Sequence, residues 1–569
     1  MHSVALNENQ RQASLHTMAN HTLDLLVIGA GIVGAGAALD AASRGLDVGL
    51  IEARDISSGT SSRSSKLIHG GLRYLEMLEF RLVGEALKER GLLLHELAPH
   101  LVRPVRFLYP LKHRGWERLY TGAGVALYDT LALLGGRRLP FHRHLTRANA
   151  LRQAPSLRPD SLVGALQYYD AQVDDARFTL AVTRTAATYG AAVATRTAAT
   201  ELLRENGRVV GAVTEDRING ERHLIRARQV LLATGVWSGD LLMDSPEPSA
   251  VTVRASKGIH VVVPGDRINS ETGLILRTAL SVLFVIPWGG NWLIGTTDTD
   301  WNGNRAHPAA SANDIAYLLD TVNSVLAEPI TRADIIGVFA GLRPLVAGQA
   351  EHTANLSREH VVAQPEPGLT VVAGGKYTTY RVMAKDAVDA AFRLAKPRVP
   401  ESRTSKTPLV GAHGYRELAD CPRLIGRTWN LDDAQVRALL GRYGALASEV
   451  LAPAARRPEL LQPVDGAPTH LAAEIVYAVT HEGALHLEDV LTRRTHVSID
   501  TPDRGLLAAS QVADLMAAEL RWDARRRNRE IAHYRTRVEA ELASQAAADD
   551  ASANQLRSSV TDVTVVTPG

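Results

Sequence analysis

The chain has 569 residues, of which 45% are hydrophobic and 22% charged, and its formal net charge is +2. This length asks for two or three domains with a large core, and the balanced charge excludes a global field that would draw in nucleic acid. Cys421 is the only cysteine, which excludes an intramolecular disulfide and is compatible with a reducing cytoplasm.

Residues 1–22 read as a flexible leader, since Met1–His21 is polar and lacks the apolar centre of a secretory signal. Leu25–Ile28 is a short apolar run of the kind a buried parallel strand requires. Gly29, Gly31 and Gly34 then fill the glycine places of a GxGxxG turn. The first permits the tight turn, the second lets a pyrophosphate approach the backbone, and the third lets the following helix pack on the sheet. That helix, expected over Gly31–Arg44, points its N-terminus at the phosphates. Leu46–Ile51 reads as the second strand. Glu52 ends it, about 20 residues past the glycines, where a carboxylate meets ribose hydroxyls. Strand, turn, helix, strand and acid in this order indicate dinucleotide binding.

Thr60–Glu76, TSSRSSKLIHGGLRYLE, crowds serines, glycines and basic residues ahead of an amphipathic helix expected over Phe80–Leu97. Small residues and hydroxyls suit a backbone running against a ligand. A solvated loop is the alternative, but Leu67, Ile68, Leu72, Tyr74 and Leu75 are too apolar for it. Ten basic residues follow: Arg103, Arg106, Lys112, Arg114, Arg118, Arg137, Arg138, Arg143, Arg147 and Arg152. They flank an apolar helix candidate, Leu119–Leu134. This pattern suits a surface lying on anionic lipid, and equally a buried helix with solvated basic ends. No apolar run reaches the ~18 uninterrupted residues of a membrane span, so a membrane role has to be peripheral.

Asp174–Tyr189 reads as a helix started by Asp174 or Asp175. Strands are expected near Ala192–Leu203 and Arg208–Glu215, with Asn-Gly turns after each. Gln229–Ala233 is a buried strand ending in Thr234-Gly235, which returns to the nucleotide sheet and places Gly235 beside the cofactor. Lys257–Pro264, Leu283–Trp301 and Gly337–Val346 suggest an inserted antiparallel sheet. Val371–Ala373, Gly374-Gly375 and Thr378–Ala391 form a second strand, glycine turn and helix. After a linker at 396–408, residues 409–545 read as helical, with helices at Asp432–Tyr443, Ala472–His481, Leu487–Arg494, Asp503–Leu520 and Trp522–Ala543. Residues 546–569 read as a disordered tail.

GAGIVGAG, SSKLIHGGLRYLE, FVIPW, IGTTDT, AGLRPL and GGKYTTY fall in the order and at the intervals of the FAD-dependent glycerol-3-phosphate dehydrogenases, and DVLTRRT at Asp489–Thr495 resembles their C-terminal domain. The resemblance spans roughly residues 23–530. It implies an α/β fold: a Rossmann-type FAD-binding domain (D-amino-acid-oxidase-like), an inserted antiparallel β substrate domain and an all-α C-terminal domain. The expected division gives 23–98, 161–245 and 358–395 to a discontinuous FAD-binding domain. It gives 99–160 and 246–357 to a substrate-binding, membrane-facing domain. The resemblance also implies oxidation of sn-glycerol 3-phosphate to dihydroxyacetone phosphate, with electrons passed to membrane quinone. The enzyme would be a peripheral homodimer on the inner, cytoplasmic face of the cell membrane. Rival readings are an oxidase of the same substrate using O2, an FAD-dependent amine or amino-acid oxidase, and a non-enzymatic flavin-binding membrane protein.

Oxidising a secondary alcohol needs a hydride acceptor, a base and a clamp for the rest of the substrate. From the family pattern the clamp candidates are Arg73, Tyr74, Arg343 and Arg358, with Thr296 and Lys376 nearby; SREH around Arg358 matches less closely. Arg343 follows an apolar strand in a turn that aims its guanidinium inward. Lys376, at a helix start after two glycines, suits stabilising negative charge on a reduced flavin; a helix-cap lysine is the alternative. His260, on a substrate-sheet strand, is the favoured general base, with a satisfied core histidine as the alternative. His69 joins the flavin loop. The remaining cofactor candidates are Ser61, Ser62, Ser65, Lys66, Leu67, Gly70, Gly71 and Thr378; no metal is assigned.

Overall fold

The structure, a computed structural model, describes residues 4–71, 79–113, 115, 122, 124–128, 130, 139–243, 245, 251–278, 282–346, 359–395 and 398–563. The apolar run at the start of the chain forms the strand Leu23–Ile28, in the middle of the first sheet. It pairs in parallel with Val48–Ile51 on one side and Arg222–Leu232 on the other. Leu369–Gly374 and Ala192–Ala194 extend the parallel order, and His360–Glu366 adds an antiparallel edge. Strands far apart in sequence therefore share this sheet, as a discontinuous nucleotide domain requires.

The helix Ile32–Ser43 lies on this sheet between Asp175–Thr188 and Tyr380–Ala391. Its small residues set the spacing. A Cβ on Gly36 would stand 2.8 Å from the Tyr380 ring. The helix Asp175–Thr188 starts where expected, with the Asp174 carboxylate accepting the Arg177 N–H.

The second sheet is mostly antiparallel. Val253–Pro264 sits between Asn291–Gly295 and Gly337–Val346, and Val282–Trp288, Gly273–Arg277, Val102–Leu111 and Gly164–Val173 continue outward. Val102–Leu111 and Gly273–Arg277 run parallel. Register sets the site: Ser256 faces Arg343, and His260 faces Gly295 and Phe339. The helix Ala312–Asn323, capped by a Ser311–Asp314 box, covers the outer face.

Residues 409–545 are helical apart from a short two-stranded ribbon, Pro463–Val464 with Ala467–Leu471. The all-α expectation is corrected to that extent. The region docks through buried charge pairs. Arg494 holds Asp55 with both Nη atoms, at 2.7 and 2.8 Å. Arg177 pairs with Glu482 at 2.6 Å, and Arg196 with Asp489 at 2.6 Å. Arg493 and Arg494 sit in a π-helical stretch, Asp489–Arg494.

The structure corrects three further expectations. The leader is not flexible: Glu8–Asn20 is a helix, Leu15 and Met18 are buried, and Arg11 pairs with Asp216 at 2.6 Å. Two apolar residues and one buried ion pair pin it, too sparse a pattern for periodicity to detect. The tail is not disordered through residue 563, because Asp550–Ser558 is a helix with Asp549 as its cap. Residues 164–173, placed in the FAD-binding segment 161–245, form a strand of the second sheet beside Leu67–Ile68. Arg114, Arg118, Arg137, Arg138 and much of Leu119–Leu134 lie outside the described residues. Within that stretch Val125 and Tyr128 are buried, and the Tyr128 hydroxyl donates to Asp170 at 2.8 Å. That face belongs to the core.

Candidate active site

A cavity of about 700 Å³ lies where the two sheets meet. At the nucleotide end its wall is backbone. Gly29 (φ +104°) turns under Ala233, and a Cβ there would stand 2.7 Å from the Ala233 carbonyl oxygen. The helix N-terminus opens onto the cavity through Gly31, Ile32 and Val33. A Cβ on Gly31 would sit 3.2 Å from Ser61 Oγ, which itself accepts the Ile32 N–H at 2.9 Å. Gly34 does not line the cavity; a Cβ there would strike the Gly29 carbonyl. Glu52 accepts N–H bonds from Ala30 at 2.8 Å and Arg54 at 2.9 Å. Burial raises its pKa from the ordinary carboxylate value, against the pull of those two bonds. Glycine cradle, helix N-terminus and half-buried acid fit the phosphates and ribose of a dinucleotide.

The far wall is built from side chains. His260 lines the cavity with its Nε2 2.9 Å from Ser65 Oγ and its ring stacked on Phe339 at 4.8 Å. Burial, then the Arg343 and Lys66 charges, hold its pKa well below the usual histidine value, so the neutral imidazole is favoured. Arg343 Nη2 donates to Thr296 Oγ1 and to the Thr297 carbonyl, each at 3.1 Å, and Asp298 lies 3.6 Å from Nη1. Gly258 is required beneath it: a Cβ there would come within 2.6 Å of Arg343 Nη2. Thr296, Arg343 and Lys376 all reach the cavity. Lys376 follows Gly374 and Gly375, both at positive φ.

The structure sorts the other candidates. Ser61, Ser65, Leu67, His69, Gly235, Gly374 and Gly375 line the cavity. Ser62, Lys66, Gly70, Gly71 and Thr378 do not. Lys66 is buried, with its ammonium 2.5 Å from Asp175 and 2.9 Å from the Ser62 carbonyl; it anchors the serine loop from behind. The Gly70 N–H donates to Tyr128 at 2.9 Å. Thr378 Oγ1 accepts the His69 N–H at 3.1 Å, which ties the second glycine turn to the serine loop. Arg73, Tyr74 and Arg358 lie outside the described residues.

Several lining residues escaped the sequence reading: Arg54, Arg63, Thr197–Thr200 and Trp237. Arg63 carried a usable signal, being a cation inside the quoted serine loop. Burial and the nearby charges of Arg54 and Arg493 push its guanidinium down to about 9. Thr197–Thr200 carried none, because an edge strand reaches the cavity only through folding.

This arrangement defines a class of protein, and comparison with known proteins agrees. Residues 24–381 match the family described as FAD dependent oxidoreductase, and residues 402–527 match the C-terminal domain of alpha-glycerophosphate oxidase. The chain is an FAD-dependent oxidoreductase with FAD as its cofactor. A glycerol-3-phosphate dehydrogenase of Mycobacterium leprae is 55% identical over 98% of this chain and 94% of its own length. The mitochondrial glycerol-3-phosphate dehydrogenase of Homo sapiens is 37% identical over 90% of this chain and 73% of its own. Among solved structures, the glycerol-3-phosphate dehydrogenase of Bacillus halodurans complexed with FAD superposes with a TM-score of 0.77 at 29% identity, covering 94% of this chain and 98% of that one. The chain belongs to the FAD-dependent glycerol-3-phosphate dehydrogenase family.

Proposed function

We propose that the chain oxidises sn-glycerol 3-phosphate to dihydroxyacetone phosphate and passes the electrons to a membrane quinone. The observation that carries this reading is a single cavity whose one end is a dinucleotide cradle and whose other end holds His260, Arg343 and Lys376. The names of the relatives support the substrate. When bound, FAD supplies the hydride acceptor. His260, whose Nε2 bonds Ser65 Oγ at 2.9 Å, takes the proton of the C2 hydroxyl, and its depressed pKa keeps the ring neutral beforehand. Arg343, held in place by Thr296 and Thr297, forks the phosphate. Lys376 places positive charge where electrons accumulate. Arg73, Tyr74 and Arg358 complete the clamp.

The chain works as a peripheral homodimer on the cytoplasmic face of the membrane, with the exposed basic residues of Arg103–Arg152 toward anionic lipid. Among the described residues no helix is long and apolar enough to cross a membrane. Attraction to vesicles of anionic lipid should weaken with salt. Anaerobic mixing with glycerol 3-phosphate should bleach the flavin absorbance, and a quinone should restore it. A flavin that stays oxidised overturns the reading. Rapid recovery in air with peroxide release would make O2 the acceptor.

A further inference from the structure

Residues 528–563 lie beyond both family matches, yet the end of this segment contacts residues that line the cofactor cavity. The carbonyls of Ala547 and Ala548 accept N–H bonds from Ala312 and Asn313, at the open end of the helix Ala312–Asn323. Asp550 then lies 2.5 Å from the ammonium of Lys257, a lysine with no exposed surface that also pairs with Asp314 at 2.5 Å. Lys257 precedes Gly258, which lines the cavity. Ala553 is fully buried with Val236, Trp301 and Leu342, and Leu342 lines the cavity. Asn554 accepts the Asn304 N–H at 2.8 Å.

The segment ends on the nucleotide side. The Asp562 carboxylate accepts from Arg54 Nη2 at 2.7 Å and lies 3.1 Å from His307 Nε2. Arg54 lines the cavity, its Nη1 donates to the Ala306 carbonyl at 3.2 Å, and its backbone N–H holds Glu52. Around this point Arg63, Arg493 and Arg557 add positive charge, with Glu488 and Asp562 opposing it. Of these two acids, Asp562 is the one whose carboxylate pairs with Arg54.

We infer that residues 547–562 are a cofactor-retaining strap, in which Asp550 fastens the substrate sheet and Asp562 fixes Arg54, and through it Glu52, against the bound FAD. Asp562 is a positioning residue: it acts through Arg54 and Glu52. The strap joins residues behind both walls of the cavity, so opening either fastening loosens the wall that holds FAD.

The test uses the full-length holoenzyme and needs no substrate, so it stands apart from the choice of substrate and acceptor. FAD release after dilution is followed by the rise in free-flavin fluorescence. Asp562→Asn should release FAD roughly tenfold faster, the loss expected for one charge-assisted hydrogen bond. Asp562→Glu should restore most of the parent rate, and Asp550→Asn should also speed release. Asp514→Asn breaks a pair with Arg527, neither of which lines the cavity, and serves as the control. Release from Asp562→Asn at the parent rate overturns the inference. So does equal acceleration by Asp514→Asn, which would mean general loosening of the fold.

Discussion

The two ends of the cavity are built by different means. The nucleotide end is mostly backbone: Gly29, Gly31 and a helix N-terminus shape it, with Glu52 and Arg54 as charged walls. The substrate end is side chains: His260 and Arg343 are held by Ser65, Phe339, Thr296 and Thr297, which come from three separate stretches of chain. Backbone shape tolerates no added atoms, whereas side chains can be removed one at a time with graded loss. The first end should therefore fail as a unit and the second should divide into separable functions.

The largest expected effect is at the nucleotide end. Gly34→Val drives side-chain atoms into the Gly29 carbonyl, so the purified protein should carry almost no FAD. A yellow protein with full flavin content would show that the turn can yield. Next, His260→Ala should keep its flavin and lose about 10²–10⁴-fold in kcat. An unchanged kcat with an unaltered pH profile would give the proton to another group. Arg343→Ala should raise KM for glycerol 3-phosphate about 10- to 100-fold, from one lost charged contact, and leave the weak oxidation of plain glycerol nearly as it was. Equal losses on both substrates would make Arg343 structural. Glu52→Ala should weaken FAD binding by about 1.5–3 kcal/mol, measured by titrating the apoprotein with FAD.

The smallest effect concerns acid. His100 is held down to about 3 by burial and by the Arg177 and Arg103 charges, from an ordinary 6.5. The unfolded chain therefore takes up a proton first as the pH falls. The stabilisation is complete above pH 6.5 and is lost progressively toward pH 3. His260 acts in the same direction. Asp500, pushed up to about 6 by burial, gains a proton on acidification and partly offsets both. Thermal melting should thus decline modestly from pH 6.5 to 5, before ion-paired carboxylates titrate. The slope should flatten in His100→Phe.

The nucleotide unit was legible because each of its parts has a local cause. An apolar run makes a strand, glycines make the turn, and an acid ends the next strand, all within Leu25–Glu52. The antiparallel substrate sheet and the helix Asp175–Thr188 were legible for the same reason. Local pattern failed wherever a few long-range contacts outweighed composition. The first 22 residues look polar, yet Met18 and the Arg11–Asp216 pair pin a helix. Lys66 reads as a cofactor ligand in its serine loop, yet Asp175, 109 residues away, draws it behind the wall.

The sequence by itself determined the dinucleotide turn, the order of its elements and the family. Periodicity, glycine placement and motif spacing are properties of neighbouring residues. Only the tertiary structure decided which cations face the cavity. Arg54 and Arg63 reach it while Lys66 does not, because burial beside a carboxylate fixes a charged side chain more strongly than its place in a motif. Only the tertiary structure, too, brought Asp562 to Arg54 across 508 positions, since that ion pair exists only after both sheets have formed.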